Sequence, residues 1–219
     1  MKKIFLMILC LTFCYGTTGL AIEQKARQPI TDFLTQLKSR YEGVQDYTAT
    51  MRLENFESEY KLQKQKIWFK KPGYLLIKQL GPFKKGAVLA IYPDGKIKGH
   101  LGGFLSFAVV SLDKDDENMY GVTGDSALTT DYGQILNIAM GKFDRVKTFS
   151  ITEFIDKDKK YRVLETTYDA PIDRLKLIVD QHSQLIVGLE RYKGKKLIHR
   201  IQWFDVKTNV GLKTSLFDL

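Results

Sequence analysis

The sequence has little cysteine, and what it has is confined to its first residues. Cys10 and Cys14 are the only two cysteines in the 219 residues, and both precede Ala21. The stretch 22–219 therefore has no disulfide, no thiolate metal ligand and no cysteine nucleophile. A segment of 198 residues without disulfides must be stabilised by its own hydrophobic core, and it is long enough to form one.

Motifs that mark metal and catalytic sites are missing as well. The three histidines, His100, His182 and His199, lie far apart and form no ligand-spaced pair. No Gly-x-Ser-x-Gly segment supplies a nucleophile elbow, and the glycines after residue 98 lack the spacing of a nucleotide-binding loop. We therefore predict that the protein is not an enzyme and uses no metal or cofactor.

The N-terminus is organised like an export signal. A basic start, Met1–Lys3, precedes an apolar run, Ile4–Phe13, and a stretch of small residues that ends at Ala21. This order is typical of a signal peptide, and the run is about half of the roughly twenty residues that a bilayer span needs. We predict a signal peptide over 1–21 and a periplasmic location. A lipid anchor on Cys14 is the alternative, although Phe13 is large for the position before a lipidated cysteine.

The charge balance is positive. The formal net charge is +9, and loss of Lys2 and Lys3 with the leader would leave +7. A surplus of this size favours anionic partners such as membrane head groups, acidic proteins or nucleic acid. Export makes nucleic acid the poorest of these, so we predict none. A merely solvated basic surface is the alternative.

Hydrophobic periodicity predicts one α+β domain over 22–219. A period near 3.6 predicts an N-terminal helix ended by Gly43, and a second helix over Asp131–Met140 capped by Thr130. Between and after them, apolar positions alternate over about ten segments separated by short turns, which predicts a large, curved antiparallel sheet. Its apolar face either encloses a cavity or packs as a filled core. The residues alone favour the filled core.

Short motifs add a family resemblance. Val44–Met51, Lys66–Tyr74 and Tyr92–Lys96 resemble the LolA superfamily of periplasmic carriers for outer-membrane lipoproteins. Further segments resemble an uncharacterised family of LolA-like exported proteins over roughly residues 34–140, namely Asp46–Thr48, Gly86–Tyr92, Gly99–Gly103, Leu112–Asp113 and Thr130–Gly133.

The resemblance implies an incomplete antiparallel barrel with a helical lid, in which acyl chains occupy the apolar face. The residues that match such a lining are Tyr47, Ala49, Met51, Leu53, Ile67, Phe69, Leu75 and Ile77. The residues that match a lid or gate are Lys71, Tyr132, Ile135 and Leu136. Lys71 stands where the family has a gating arginine, and lysine lacks the planar donor fork, which puts the same gating mechanism in doubt.

With this resemblance, we predict a periplasmic carrier or binder of a lipid or lipoprotein acyl chain that serves trafficking to the outer membrane. An inner-membrane exporter and an anionic membrane surface are the predicted partners. Two alternatives differ in class. One is a non-catalytic envelope scaffold with a filled core and no lipid, and the other is an enzyme with a cleft around His100, Asp131 and Tyr132.

Overall fold

A computed structural model describes residues 27–100, 102, 108–142, 145–169 and 172–219. The predicted signal peptide, its cleavage point and Cys14 lie outside these residues. The chain divides into two compact units, Met1–Gln36 and Leu37–Leu219, and the single domain from residue 22 stays a prediction. No helix within the described ranges is both long and apolar enough to cross a bilayer.

Helix α1 covers residues 27–42, and Gly43 follows it in a turn, as the sequence predicts. The described part of the first unit, 27–36, consists of this helix alone. In the second unit the Lys71 ammonium donates to the backbone carbonyls of Tyr41 (3.2 Å) and Glu42 (2.8 Å) at the end of the helix. A cation at this end complements the helix dipole and carbonyls that lack partners within the helix.

The second unit contains one sheet of eleven strands. The strands are β1 Asp46–Asn55, β2 Lys61–Lys70, β3 Tyr74–Pro82, β4 Val88–Ile91, β5 Ile97–His100, β6 Val110–Ser111, β7 Val146–Asp156, β8 Lys159–Tyr168, β9 Arg174–Asp180, β10 Leu185–Lys193 and β11 Lys196–Thr208. The spatial order is β6-β5-β4-β3-β2-β1-β11-β10-β9-β8-β7, and every neighbouring pair is antiparallel. The predicted class, an open antiparallel sheet with helices, is confirmed, with eleven strands where about ten are expected.

The first and last long strands lie side by side in the middle of this sheet. β1 pairs with β2 on one side and with β11 on the other, and Met51 lies opposite Trp203. Tyr47, Ala49, Met51 and Leu53 alternate along β1 and are all buried. Because alternate residues of a strand point to the same side, they define one face of the sheet, which we call the inner face.

The connection between β6 and β7 contains helical segments that lie outside the sheet. Its described residues include the 3-10 helices Glu117–Met119 and Ala127–Thr129, and helix α2 over Tyr132–Gly141. The predicted cap of α2 is wrong by one residue. Asp131, and not Thr130, is the N-cap, because its carboxylate accepts the backbone N–H groups of Gly133 and Gln134.

The opposite, outer face of the sheet has a small core of its own. Phe217, in a 3-10 helix over Thr214–Phe217, packs with Leu76 and Ala90. The buried carboxylate of Asp46 holds this C-terminal segment by accepting the N–H groups of Val210 (2.7 Å), Gly211 (3.1 Å) and Leu212 (3.0 Å).

Candidate functional site

A cavity of about 440 Å³ lies on the inner face of the sheet. Its volume is within the roughly 300–1,000 Å³ that is usual for small-molecule sites. The apolar part of its wall comes from strands on both sides of the β1–β11 pair as well as from that pair, from the β3–β4 turn, from the two 3-10 helices and from α2. These residues are Met51, Leu53, Ile77, Phe83, Ala87, Val88, Leu89, Val110, Leu112, Met119, Ala127, Ile135, Ile138, Ala139, Leu175, Leu177, Leu189, Ile201 and Trp203.

The residues predicted to line a cavity are divided between two parts of the inner face. Met51, Leu53 and Ile77 line the cavity. The other five are buried but do not belong to its lining: Tyr47, Ala49, Ile67, Phe69 and Leu75. We call the first part the hollow half and the second part the filled half. The structure thus places all eight residues on the inner face, but only three of them line the cavity.

Aromatic rings fill the filled half. The Tyr47 ring stacks on Phe69 with centroids 5.2 Å apart, and Tyr132 lies 4.8 Å from Tyr47 on the other side. Trp203 lies 5.7 Å from Tyr132 and also lines the cavity, so its ring forms the boundary between the two halves. Rings with centroids this close are in direct contact, and the lining of the 440 Å³ cavity does not include Tyr47, Phe69 or Tyr132.

The predicted lid and gate residues are also divided. Ile135 of α2 lines the cavity, together with Ile138 and Ala139 of the same helix. Tyr132 and Leu136 are buried in the filled half or beside it, outside the lining. Lys71 contacts the end of α1 and is not among the cavity residues. Its role as a gate stays a prediction.

Sequence reasoning missed most of the wall, including the part that comes from the C-terminal strands. The residues of this part are Leu175, Leu177, Leu189, Ile201 and Trp203; β11 pairs with β1, and β10 and β9 follow β11 in the sheet. Alternation in the predicted C-terminal strands was the available signal for their shared face. Which strand lies beside β1 is a matter of long-range pairing, and local periodicity does not contain it.

Three glutamines form a polar patch in the wall. Gln63 and Gln65 are 3% exposed and continue the inner-face alternation of β2, while Gln79 of β3 is half-buried. The Gln63 amide donates to the oxygens of Gln65 (3.0 Å) and Gln79 (3.1 Å), and Gln79 donates to Gln65 (3.2 Å). Gln65 donates to the Met51 sulfur at 3.4 Å. All three line the cavity.

The segment 120–126, which we call the strap, is tied to the sheet across the hollow half. The N–H of Val122 donates to Gln63 Oε1 (3.0 Å), and the Val122 carbonyl accepts from Asn55 Nδ2 (2.8 Å). Arg191 Nη1 lies 2.8 Å from both carboxylate oxygens of Asp125. A Cβ on Gly121 would lie 2.7 Å from Gln63 Oε1, so a larger residue at this position would displace the Gln63 amide. The strap is thus held by polar ties rather than by packing alone.

The cavity wall carries a positive charge. Lys84, Lys85, Lys142 and Arg191 line it, whereas Asp125, already paired with Arg191, is the one carboxylate among the described lining residues. Burial lowers the pKa of Lys84 from its ordinary value, against an opposing effect of Glu117 and Asp116. The three lysines, which form no ion pair with any residue that the structure describes, therefore favour a ligand with an anionic group, or an anionic surface close by.

The three residues of the enzyme alternative do not all line the cavity. His100 lines the cavity, but neither Asp131 nor Tyr132 does. Asp131 caps α2 and accepts a hydrogen bond from the Tyr41 hydroxyl at 3.0 Å. Burial raises the pKa of Asp131, while its hydrogen bonds from Tyr41, Gly133 and Gln134 act in the opposite direction. Capping α2 and bonding to Tyr41 are structural roles, and they account for the position of the Asp131 carboxylate.

The chain is similar to known proteins at the level of solved structures. Neither a protein-family model nor a curated protein sequence matches this chain. Among solved structures, a DUF1329 family protein from Desulfovibrio piger is 16% identical, with a TM-score of 0.42 and coverage of 85% of this chain and 95% of that chain.

For two further solved structures, the aligned region includes nearly all of the other protein's chain. A LolA superfamily protein from Nitrosomonas europaea is 11% identical, with a TM-score of 0.41 and coverage of 86% of this chain and 97% of that one. The lipoprotein LppX from Mycobacterium tuberculosis is 9% identical, with a TM-score of 0.48 and coverage of 84% and 98%. The LolA superfamily, which the sequence motifs resemble, is thus represented among the structures to which this chain is similar.

Proposed function

We propose that this protein is a periplasmic carrier or binder of a lipid or lipoprotein acyl chain, held in the cavity of the hollow half. The observation that carries the proposal is the cavity itself, an open volume of about 440 Å³ between an apolar sheet face and an apolar cover. Each methylene that moves from water into such a space contributes about 0.8 kcal/mol. A chain of several methylenes is therefore enough for useful affinity.

The charge of the wall supports an amphiphilic ligand rather than a plain hydrocarbon. Lys84 and Lys85 on the β3–β4 turn and Lys142 at the end of α2 line the same cavity as the leucines of β9 and β10. An acyl chain among the leucines would leave its anionic head group to the lysines. The same lysines would favour approach to an anionic membrane surface.

The finer parts of the proposal rest on the sequence. The leader over residues 1–21 supports export to the periplasm, and the resemblance to LolA-like proteins supports service in lipid or lipoprotein trafficking to the outer membrane. An exporter in the inner membrane is the proposed donor of the ligand. Release would require an acceptor that binds the acyl chain better than this cavity does.

Filling the cavity tests the proposal. Ala139 lines the cavity from α2, so the side chain of Ala139→Trp would occupy the space of an acyl chain. The control is Met140→Trp, the same bulky side chain one residue further along α2, at a position outside the lining. Native mass spectrometry of protein purified from the periplasm would measure co-purifying lipid, and titration with a fluorescent fatty acid would measure affinity.

We expect lipid on the wild type and on Met140→Trp, and at least about a tenfold loss of affinity for Ala139→Trp, since even two displaced methylenes cost about that much. Absence of lipid and of fatty-acid binding in all three proteins would contradict the proposal. That result would instead favour the alternative of an envelope scaffold that binds no lipid. In such a protein the whole inner face would be packed as the filled half is.

A further inference from the structure

The polar patch of the cavity wall requires an explanation, because apolar side chains would suit a pure hydrocarbon better. Gln63 and Gln65 are almost fully buried on the same face as Met51 and Ile67. Burying an amide without partners costs free energy, and these amides avoid that cost by bonding to one another. The patch is therefore a built feature of the wall, with its members held in fixed positions.

One backbone group sets the direction of every hydrogen bond in the patch. The N–H of Val122 can only donate, so the atom of Gln63 that it contacts at 3.0 Å must be the carbonyl oxygen. The amide nitrogen of Gln63 then points to the oxygens of Gln65 and Gln79. Gln79 is consequently oriented with its oxygen toward Gln63 and its nitrogen toward Gln65.

Counting donors and acceptors shows what Gln79 has left over. A terminal amide has two N–H donors and two acceptor sites. Gln79 uses one donor toward Gln65 and one acceptor site toward Gln63, and no other described residue bonds to its side chain. Gln79 also lines the cavity and is the least buried of the three. It therefore offers one pre-oriented N–H donor, and one further acceptor site on its oxygen, to whatever occupies the cavity.

The surroundings of Gln79 define the chemistry that this donor fits. On the inner face its neighbours include Ile77 two residues away on β3, and Met51 across β2. A neutral donor that borders apolar side chains on one side and the amides of Gln63 and Gln65 on the other suits an uncharged acceptor located at the start of an alkyl chain. The carbonyl of an acyl ester or acyl amide has this form, whereas an alkyl ether is a weaker acceptor and a hydrocarbon has none.

Building on the carrier function proposed above, we propose that Gln79 binds the acyl carbonyl of the ligand, with Gln63, Gln65 and the strap acting as positioning residues. The ligand class is then an acylated lipid, linked through an ester or amide, in preference to ether lipids and hydrocarbons. The strap contributes because Val122 orients Gln63, and Gln63 orients Gln79.

A competition between two lipids that differ only at the carbonyl tests this recognition. Equal amounts of 1-palmitoyl lysophosphatidylglycerol, an ester, and 1-hexadecyl lysophosphatidylglycerol, an ether, are added to the full-length mature protein. Native mass spectrometry then gives the ratio of the two complexes. The variant is Gln79→Met, which keeps the length of the side chain and removes its amide. The matched control is Gln202→Met, since Gln202 of β11 lies on the outer face between Ile201 and Trp203.

We expect the wild type and Gln202→Met to favour the ester by about three- to tenfold, the value of one hydrogen bond. Gln79→Met should bind both lipids equally, with its affinity for the ether close to that of the wild type. Equal binding of ester and ether by the wild type would overturn carbonyl recognition while leaving the carrier function intact. A preference that survives in Gln79→Met would also overturn it.

Two further outcomes keep the test decisive. If the wild type binds neither lipid, the carrier function itself fails, and the carbonyl proposal fails with it. If Gln79→Met does not fold, Gln79→Asn retains the amide but withdraws it by one methylene. We expect Gln79→Asn to lower the preference for the ester, and an unchanged preference would count against the proposal.

Discussion

The inner face of the sheet is filled where β1 carries Tyr47 and hollow where the same strand carries Met51, although both side chains alternate in one row. In the filled half, Tyr47 lies between the rings of Phe69 and Tyr132. In the hollow half, Met51 and Leu53 border open space. A strand pattern that is uniform along its length therefore does not produce a uniform environment.

The difference lies in what covers each half. Over the filled half the N-terminus of α2 contributes the Tyr132 ring, which packs directly on the sheet residues. Over the hollow half the strap is fixed by the Val122 N–H, which donates to Gln63, by Asn55, which donates to the Val122 carbonyl, and by the Arg191–Asp125 ion pair. Hydrogen bonds and an ion pair can fix the strap in position even though side chains do not fill the cavity next to it. This contrast accounts for how a stable sheet can retain a cavity.

The largest effect is expected from truncation in the filled half. Tyr47→Ala removes a ring that is packed on two sides, so it should lower the free energy of unfolding by about 3–5 kcal/mol. Leu189→Ala in the hollow half should cost about 2 kcal/mol, because Leu189 already borders open space. Urea unfolding measures both. Equal costs for the two variants would remove the distinction between the halves.

A smaller effect is expected from loosening the strap. Arg191→Met leaves the part-buried Asp125 carboxylate without its cation, which should lower stability by about 1–2 kcal/mol and speed the release of a bound fatty acid. The double variant Arg191→Met/Asp125→Asn should recover part of this loss, since no unpaired charge then remains. Stopped-flow release and urea unfolding would measure the two quantities. Unchanged release in Arg191→Met would show that the strap does not control access.

The smallest expected effect depends on pH. His199 lies beside Arg191, with Nε2 3.8 Å from Glu57, and its ring nitrogens have no hydrogen-bond partner among the described residues. Burial, and then the charge of Arg191, lower the pKa of His199 below 6.5, against the effect of Glu57 and Asp125. Folding thus favours the neutral ring.

The stabilising contribution of neutral His199 is complete above pH 6.5 and is lost as the pH falls below that value toward the pKa in the folded protein. We expect the free energy of unfolding of the wild type to decrease between pH 7 and pH 5, and to decrease less in His199→Gln. The same exchange at the exposed His182 is the control. Identical pH profiles for wild type and His199→Gln would contradict the prediction.

Local features of the fold were predictable because they depend on neighbouring residues. Gly43 follows α1, as the sequence predicts, and short turns such as Pro93–Gly95 separate neighbouring strands. The cap of α2 was misplaced because Thr130 and Asp131 are both suitable capping residues, and only backbone geometry distinguishes them. The glutamines of β2 escaped notice as wall residues because amides are usually exposed.

The alternating faces, the helices and the absence of cysteine beyond residue 21 follow from the sequence alone, since periodicity and composition are properties of a linear chain. Long-range folding sets the place of β1 beside β11, the contact of Tyr132 with one half of the face, and the meeting of Gln63, Gln65 and Gln79 in the other. These arrangements depend on contacts between residues far apart in the chain. Whether an apolar face is filled or hollow depends on the shape of the segment that covers it, which no repeat in the strand itself encodes.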